Sequence, residues 1–305
     1  MGAKTASRSS ARTDGAFDRF ADQARPDLEK ALARSLPAAI DRAPTLSRAI
    51  EEALLSPGKR LRPLVALAAG DLLRASRPAS TAVAVAVEYV HAASLVLDDL
   101  PSMDDASRRR GRPSLHVSHG VATAELASVA LLARAFELVA QAPETTAATR
   151  ARVCAELAAA IGAAGCCAGQ AADLAADPTA LELEDLEAIH SRKTGALFVA
   201  AIRGGALAGA AGARPLAALT LFARNLGLAF QITDDVLDRE GDPARMGKDT
   251  GRDAHRANFA TLFGTAASRQ LVEELLAAAV AALSPFGSKA AVLADLTRVV
   301  RDRRS

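Results

Sequence analysis

Breakers punctuate a chain that is otherwise built to form helices. Proline or Pro/Gly stops fall at Pro57-Gly58, Pro78, Pro101, Pro143, Pro178, Pro215, Pro243 and Pro285-Phe286-Gly287. Between them run stretches dominated by Ala and Leu, both strong helix formers. No alternation of apolar and polar residues lasts more than a few positions, so a strand-rich fold is excluded. The stops predict about ten helices, near 16–34, 38–54, 60–75, 79–100, 117–141, 145–175, 182–212, 215–239, 267–283 and 288–303. Several are apolar nearly all round, which marks interior helices. No linker and no fixed-period repeat divides them. The expectation is an all-α, single-domain antiparallel helical bundle over 16–305, preceded by a disordered basic tail over 1–15.

Composition narrows the function. A net charge of +2 over 305 residues is too small for a nucleic-acid surface, although basic residues cluster locally, as an anionic ligand would require. Cys154, Cys166 and Cys167 are too few and wrongly spaced for a disulfide framework or a zinc site, and read as reduced thiols serving as small core residues. The N-terminal stretch lacks the apolar segment of a secretory signal. The longest apolar run, Thr81–Leu97, carries Glu88 and His91, so no membrane span is expected. A cytoplasmic location follows as the expectation.

Two acidic clusters stand at the ends of the most apolar segments. Asp98, Asp99, Asp104 and Asp105 fall within "LDDLPSMDD", and Asp234, Asp235 and Asp238 within "DDVLD". A helix C-terminus already carries partial negative charge, so carboxylates gathered there are unfavourable without cations. Pro101 disfavours helix through Leu100, which puts Asp98 and Asp99 at a helix end. Asp234 and Asp238 are four apart and share a helical face. Oxygen-only ligands suit a hard cation, and Mg²⁺ usually shares its shell with substrate phosphates. Greasy helices enclosing a central cavity, with metal at its mouth, would fit an amphiphile with an anionic head and an apolar tail.

The motifs resemble those of the trans-isoprenyl diphosphate synthases, particularly the short-chain bacterial farnesyl and geranylgeranyl type. "PGKRLRP", "DDLPSMDDASRRRGRPSLH", "GQAADL", "HSRKTGALF" and "GLAFQITDDVLDREGD" follow one another in the family's order. The resemblance implies the isoprenoid synthase fold and a condensation of isopentenyl diphosphate with an allylic diphosphate. It implies three Mg²⁺ ions, two held by Asp98, Asp99 and Asp104 and the third by Asp234 with Asp238. It assigns Gly58, Lys59, Arg60, His91 and Arg110 to isopentenyl diphosphate, and Arg109, Lys193 and Lys248 to the allylic diphosphate. Thr194 and Gln231 would stabilise the developing cation, with Gln170 and Asp173 supporting from behind. A homodimer is implied as well. One position departs from the pattern: Arg256 and Asn258 stand where the family usually has Lys and Thr.

Product length is read from the helix that ends at Asp98. Four or five residues upstream is one turn deeper, roughly 6–8 Å, on the order of one isoprene unit. A bulky aromatic there stops growth at farnesyl length in the family, whereas this chain has Ala93 and Ser94. The expectation is a C20 product, geranylgeranyl diphosphate, with farnesyl diphosphate as the alternative. Two rivals are a class I terpene cyclase and a catalytically silent partner subunit. The intact second aspartate cluster and "GKR" argue against the first, and survival of both clusters argues against the second.

Overall fold

The computed structural model describes residues 15–39, 41–177, 180–240 and 258–303. The elements in chain order are α1 Ala16–Ser35, α2 Pro44–Leu55, α3 Leu61–Leu72, α4 Arg77–Asp98, strands β1 Arg108–Arg109 and β2 Arg112–Pro113, α5 Leu115–His119, α6 Val121–Ala140, α7 Ala147–Ile161 and α8 Cys166–Ala175. There follow α9 Leu183–His190, a π-helical turn Ser191–Gly195, α10 Ala196–Ala208, α11 Ala213–Glu240, α12 Phe259–Phe263, α13 Thr265–Ala282, a 3₁₀ turn Ser284–Ala290 and α14 Ala291–Arg301. The all-α expectation is met, and the one sheet among the described residues is a two-residue antiparallel hairpin.

α3, α4, α10 and α11 pack as the inner set. α6 covers α4, α7 covers α10, and α13 covers α11, while α1 lies against both α4 and α14. The inner helices are buried around most of their circumference. In α4 the buried residues include Val83, Val85, Val87, Tyr89 and Val90, which occupy every face. α1 instead buries a single stripe of Phe17, Ala21, Leu28 and Leu32, as an outer helix should. Local signals set the boundaries. Ser76 caps α4 by accepting from the Ala79 N–H at 3.3 Å, so Pro78 lies in the first turn and starts the helix rather than stopping one. Thr146 caps α7 in the same way at 3.1 Å.

The structure divides four of the predicted helices. Residues 117–141 split at Gly120, whose φ of +83° no helix admits. Residues 145–175 split at Gly162–Gly165, 182–212 is interrupted by the π turn, and 288–303 begins as 3₁₀. Neither the short α12 nor the hairpin was expected, because elements of two to five residues carry no periodic pattern.

Two expectations need correction. By length and composition three helical stretches, Arg77–Asp98, Ala147–Ala175 and Ala213–Glu240, are long and apolar enough to cross a membrane. The first and third have 67% and 61% of their apolar windows buried inside this protein, which accounts for their hydropathy as core packing; the second is only 22% buried. The cysteines are free, but they are not all core residues: Cys154 and Cys166 are half-buried and Cys167 is exposed.

Candidate active site

The first acidic array is shaped by the way α4 ends. After Asp98 the chain turns back on itself. The Asp104 N–H donates to the Asp98 carbonyl at 2.9 Å and the Ala106 N–H to the Asp99 carbonyl at 3.2 Å. These bonds satisfy carbonyls that the helix leaves open and bring Asp104 beside Asp98. Burial pushes the Asp98 carboxyl up to about 6; Asp104 and Asp99 add to this, while Lys193 and Arg109 oppose it. Asp99 is different. It is buried, and Arg109 of β1 donates from Nε to both of its oxygens, at 2.9 and 3.0 Å. In this arrangement Asp99 and Arg109 are paired with each other, so a role for either on metal or diphosphate requires the pair to open, as it does for Lys193 with Asp173.

The second array sits on α11. Asp235 is buried, Asp234 half-buried and Asp238 exposed near the end of the helix. Asp234 pairs with Arg303 at 3.0 Å, and the Arg303 guanidinium lies 4.0 Å from the centre of the Phe230 ring. Sequence reasoning gave Arg303 no role, because nothing in the sequence brings a residue just past the last helix onto α11.

Between the arrays stands the π-helical turn. Lys193 Nζ lies 2.6 Å from Asp173 of α8. The approach depends on Gly169, since a methyl group there would run into the backbone of Lys193. Thr194 donates from Oγ1 to Gln231 Oε1 at 2.7 Å, and Gln231 Nε2 donates to Asp235 Oδ1 at 3.0 Å. Lys193, Thr194, Gln231 and Asp173 thus come together as expected. Gln170 adds a buried amide without a hydrogen-bond partner among the described residues. π turns recur at functional sites because the surplus residue redirects side chains.

The "GKRLR" segment needs one reassignment. Gly58 and Arg110 meet: Arg110 donates from Nη1 to the Pro57 carbonyl at 2.9 Å, and a methyl on Gly58 would lie 2.6 Å from that nitrogen. Lys59 is exposed. Arg60 is not available to a substrate. It is buried, donates to Glu29 at 2.9 Å and to Glu88 at 2.6 Å, and is spent on holding α1 and α4 to the start of α3. Arg62 takes its place. Its Nη1 stands 3.4 Å from His91 Nε2, its Nε has no partner among the described residues, and its guanidinium lies 4.7 Å from the Phe198 ring centre. Burial lowers its pKa, and Glu88, Cys166 and Asp234 oppose that shift. The signal for Arg62 was the second Arg of "GKRLR", which the start of α3 at Leu61 places beside His91. His91 is held well below its usual pKa, first by burial and then by Arg62 and Arg110, so it is a neutral hydrogen-bonding group.

Arg62 links the two arrays electrostatically, since Asp234 offsets part of the burial that lowers its pKa; the nearby Cys166 thiol, pushed up to about 11 by burial, is neutral. Among the described residues no three Asp, Glu, His or Cys side chains form a ready metal cage. The donors fit Mg²⁺ all the same: they are oxygen-only carboxylates at the ends of two helices, and burial disfavours the Asp98 charge unless a cation stands beside it. Such ligands suit an ion that takes the rest of its shell from phosphate and water.

Lys248 and Arg256 lie outside the described residues. Asn258 does not: its Oδ1 accepts from the Thr261 N–H at 2.8 Å and caps α12, a structural use for the unexpected residue. The two chain-length residues separate. Ser94 shares a face of α4 with Asp98 and donates to the His91 carbonyl at 2.9 Å. Ala93 is turned about 140° from Asp98; it is fully buried, and its carbonyl accepts from Ser128 of α6 at 3.2 Å.

An all-α bundle carrying two aspartate arrays and converging cationic side chains defines a trans-prenyl diphosphate synthase of the short-chain class. Comparison with known proteins agrees. The polyprenyl synthetase family model matches residues 43–289, and the chain belongs to that family. It is 42% identical over 224 residues to the farnesyl diphosphate synthase of Escherichia coli strain K12, covering 72% of this chain and 75% of that protein. It is 38% identical to the chloroplastic geranylgeranyl pyrophosphate synthase 9 of Arabidopsis thaliana, over 86% of this chain and 75% of that one. The apo crystal structure of an FPP/GFPP synthase from Zymomonas mobilis matches with a TM-score of 0.83 at 33% identity, covering 93% of this chain and 98% of that one.

Proposed function

We propose that the protein is a Mg²⁺-dependent synthase that condenses isopentenyl diphosphate with an allylic diphosphate and releases a C20 product. The observation that carries this reading is the convergence of Asp98 at the end of α4 and Asp104 in the turn after it, Asp234 from α11, Lys193 from the π turn, and Arg62 with His91 from α3 and α4. When bound, the metal supplies charge neutralisation for the departing diphosphate. Asp98, Asp104 and Asp234, with Asp238, would hold it. Lys193 moves from Asp173 to the allylic diphosphate. Gly58, Lys59, Arg62, His91 and Arg110 hold isopentenyl diphosphate, Arg62 by its forked donors. The allylic C–O bond breaks, and the isopentenyl double bond attacks the resulting cation. A proton then passes from the new tertiary cation to the released diphosphate, so no protein base is required. Thr194 and Gln231 face the cation with their dipoles.

The C20 assignment is supported by small side chains one turn above Asp98: Ser94 on its face of α4, and Ala93 in the seam between α4 and α6, where its carbonyl accepts from Ser128. The C15 reading has its own support. Ala93 is fully buried in that seam, and most of the similar relatives carry farnesyl names. A homodimer is supported by an exposed apolar face on α5 and α6, where Val117, Leu126 and Val129 are 54%, 59% and 64% exposed. The deciding experiment incubates the protein with Mg²⁺, labelled isopentenyl diphosphate and C5, C10 or C15 allylic partners, then sizes the product. The expected result is C20 from wild type and C15 from Ser94→Phe, which puts bulk on the face of α4 that carries Asp98. A wild-type product that stops at C15 refutes the C20 assignment. Diphosphate release from the allylic substrate alone would mark a cyclase, and no release at all a silent subunit.

A further inference from the structure

Asp235 has no part in that reaction, yet it is the most buried carboxylate of the second array, 5% exposed. We propose that Asp235 is a positioning residue: it fixes the direction of a hydrogen-bond chain and thereby turns the oxygen lone pairs of Thr194 toward the allylic cation. The proposal deepens the synthase reading above and rests on it.

The direction follows from what each group is able to donate. A backbone N–H only donates, so Asp235 Oδ2 accepts from Phe259 N at 3.1 Å. The other oxygen, Oδ1, lies 3.0 Å from the Gln231 amide. In its ionised form Asp235 accepts at both oxygens, so Gln231 then presents its NH₂ to Asp235 and its carbonyl oxygen to the far side, as the Nε2–Oδ1 contact has it. That carbonyl lies 2.7 Å from Thr194 Oγ1, which obliges the hydroxyl to donate. The hydroxyl proton of Thr194 is then used, and what the group has left to offer is lone-pair density. Without the carboxylate Gln231 is free to flip, Thr194 would accept from its NH₂, and the hydroxyl proton would turn outward, the wrong end of the dipole for a cation.

The surroundings hold Asp235 to this task. His190 packs 3.5 Å from Oδ2, without hydrogen-bond geometry, and its ring stacks on Phe259 with centroids 5.4 Å apart. With both oxygens occupied, Asp235 differs in function from Asp234 and Asp238, which lie on the more accessible side of α11. Thr194 is next to Lys193, whose charge is felt by Asp98 across the site, and the synthase reading brings the ionising allylic group to that side.

The test uses four full-length proteins: wild type, Asp235→Asn, Gln231→Glu and the double variant. The introduced amide has one oxygen and one NH₂. The Phe259 N–H cannot change, so the oxygen stays there and the NH₂ faces Gln231, which must flip. The expected result for Asp235→Asn is at least a tenfold fall in kcat, with KM for both diphosphates and the half-saturating metal concentration within twofold of wild type. Adding Gln231→Glu restores a group that accepts from both the introduced NH₂ and Thr194, so the double variant should recover most of kcat. A metal-binding or merely structural role for Asp235 would not be rescued in this way. A raised KM or metal requirement with kcat intact overturns the proposal, as does a double variant no better than Asp235→Asn. Thermal unfolding of the same four proteins follows the chain without turnover: the single variant should lose stability and the double regain it, and absence of that rescue also overturns the proposal. An inactive wild type, by contrast, would count against the synthase reading alone.

Discussion

Replacing Arg60 by Met should unfold the protein more readily and leave substrate affinity nearly unchanged. The side chains of Arg60 and Glu88 are 2% and 3% exposed and meet at 2.6 Å, while Glu29, the second partner, is 41% exposed. Burial pushes the Glu88 carboxyl up, and Arg60 is the main influence that opposes it. Removing the guanidinium leaves Glu88 buried without its counter-ion. Breaking a buried pair in this way destabilises by about 3–5 kcal/mol. With an unfolding entropy of about 2.1 cal/mol/K per residue, a chain of 305 residues should lose roughly 5–8 °C of Tm. Glu29 is too exposed to add much. The assay is a thermal melt of Arg60→Met and of Arg60→Met/Glu88→Leu, with KM for isopentenyl diphosphate measured on each. The double variant removes the stranded charge and should regain most of the loss, since a buried pair exchanged for apolar residues is often neutral. A stable Arg60→Met protein whose KM rises tenfold or more would refute the reasoning and return Arg60 to the substrate.

Arg62→Ala should behave in the opposite way, raising KM for isopentenyl diphosphate at least tenfold with little change in Tm, because its donors face His91 rather than a carboxylate. Arg303→Ala should tighten binding of Mn²⁺ or Mg²⁺ measured calorimetrically without substrate, by several-fold, since the guanidinium competes for Asp234; weaker binding would show that Arg303 assists the metal instead. The pH dependence of stability has a defined sign. Asp98 and Asp235, pushed up by burial to about 6 and about 7, are above their ordinary value of 3.8. Their contribution is complete below the unfolded value and is lost as pH rises through the folded ones. His190, pushed down to about 4 by burial, acts the other way, losing its contribution as pH falls through 4. The metal-free protein should therefore lose Tm between about pH 4 and 7, with His190 and the likewise lowered His91 offsetting part of the loss below 6.5, and Mg²⁺ with a diphosphate should flatten that slope; a metal-free Tm that climbs between pH 6.5 and 7 would contradict the burial of both carboxyls.

The long helices and both aspartate clusters were legible because each rests on a local signal: Pro and Gly stops, all-round apolar segments, and like charges placed where a helix dipole disfavours them. That Thr194 and Gln231 serve one site followed from the family resemblance, and the structure adds the bond between them. What escaped depends on three-dimensional proximity. Arg60 and Arg62 differ by one residue on either side of Leu61, and nothing local shows that Glu29 and Glu88, from two other helices, claim the first. Asp98 and Asp99 are neighbours in sequence, and only the return of β1 engages one of them with Arg109. Ala93 and Ser94 are adjacent too, but successive residues of a helix point about 100° apart, so one faces α6 and the other Asp98.

The turn at Ser191–Gly195 winds wider than its neighbours and so holds one residue more than a regular helix would. That makes the segment a phase shifter between α9 and α10. Excising one residue would let the two fuse into a single straight rod, with no loss of helical content in a circular-dichroism spectrum. The flanking helices would keep their phase and packing, but the lysine and threonine, which the surplus residue turns toward their partners, would be redirected by up to about 100°. Loss of one residue from this turn should accordingly leave helical content nearly intact and abolish turnover.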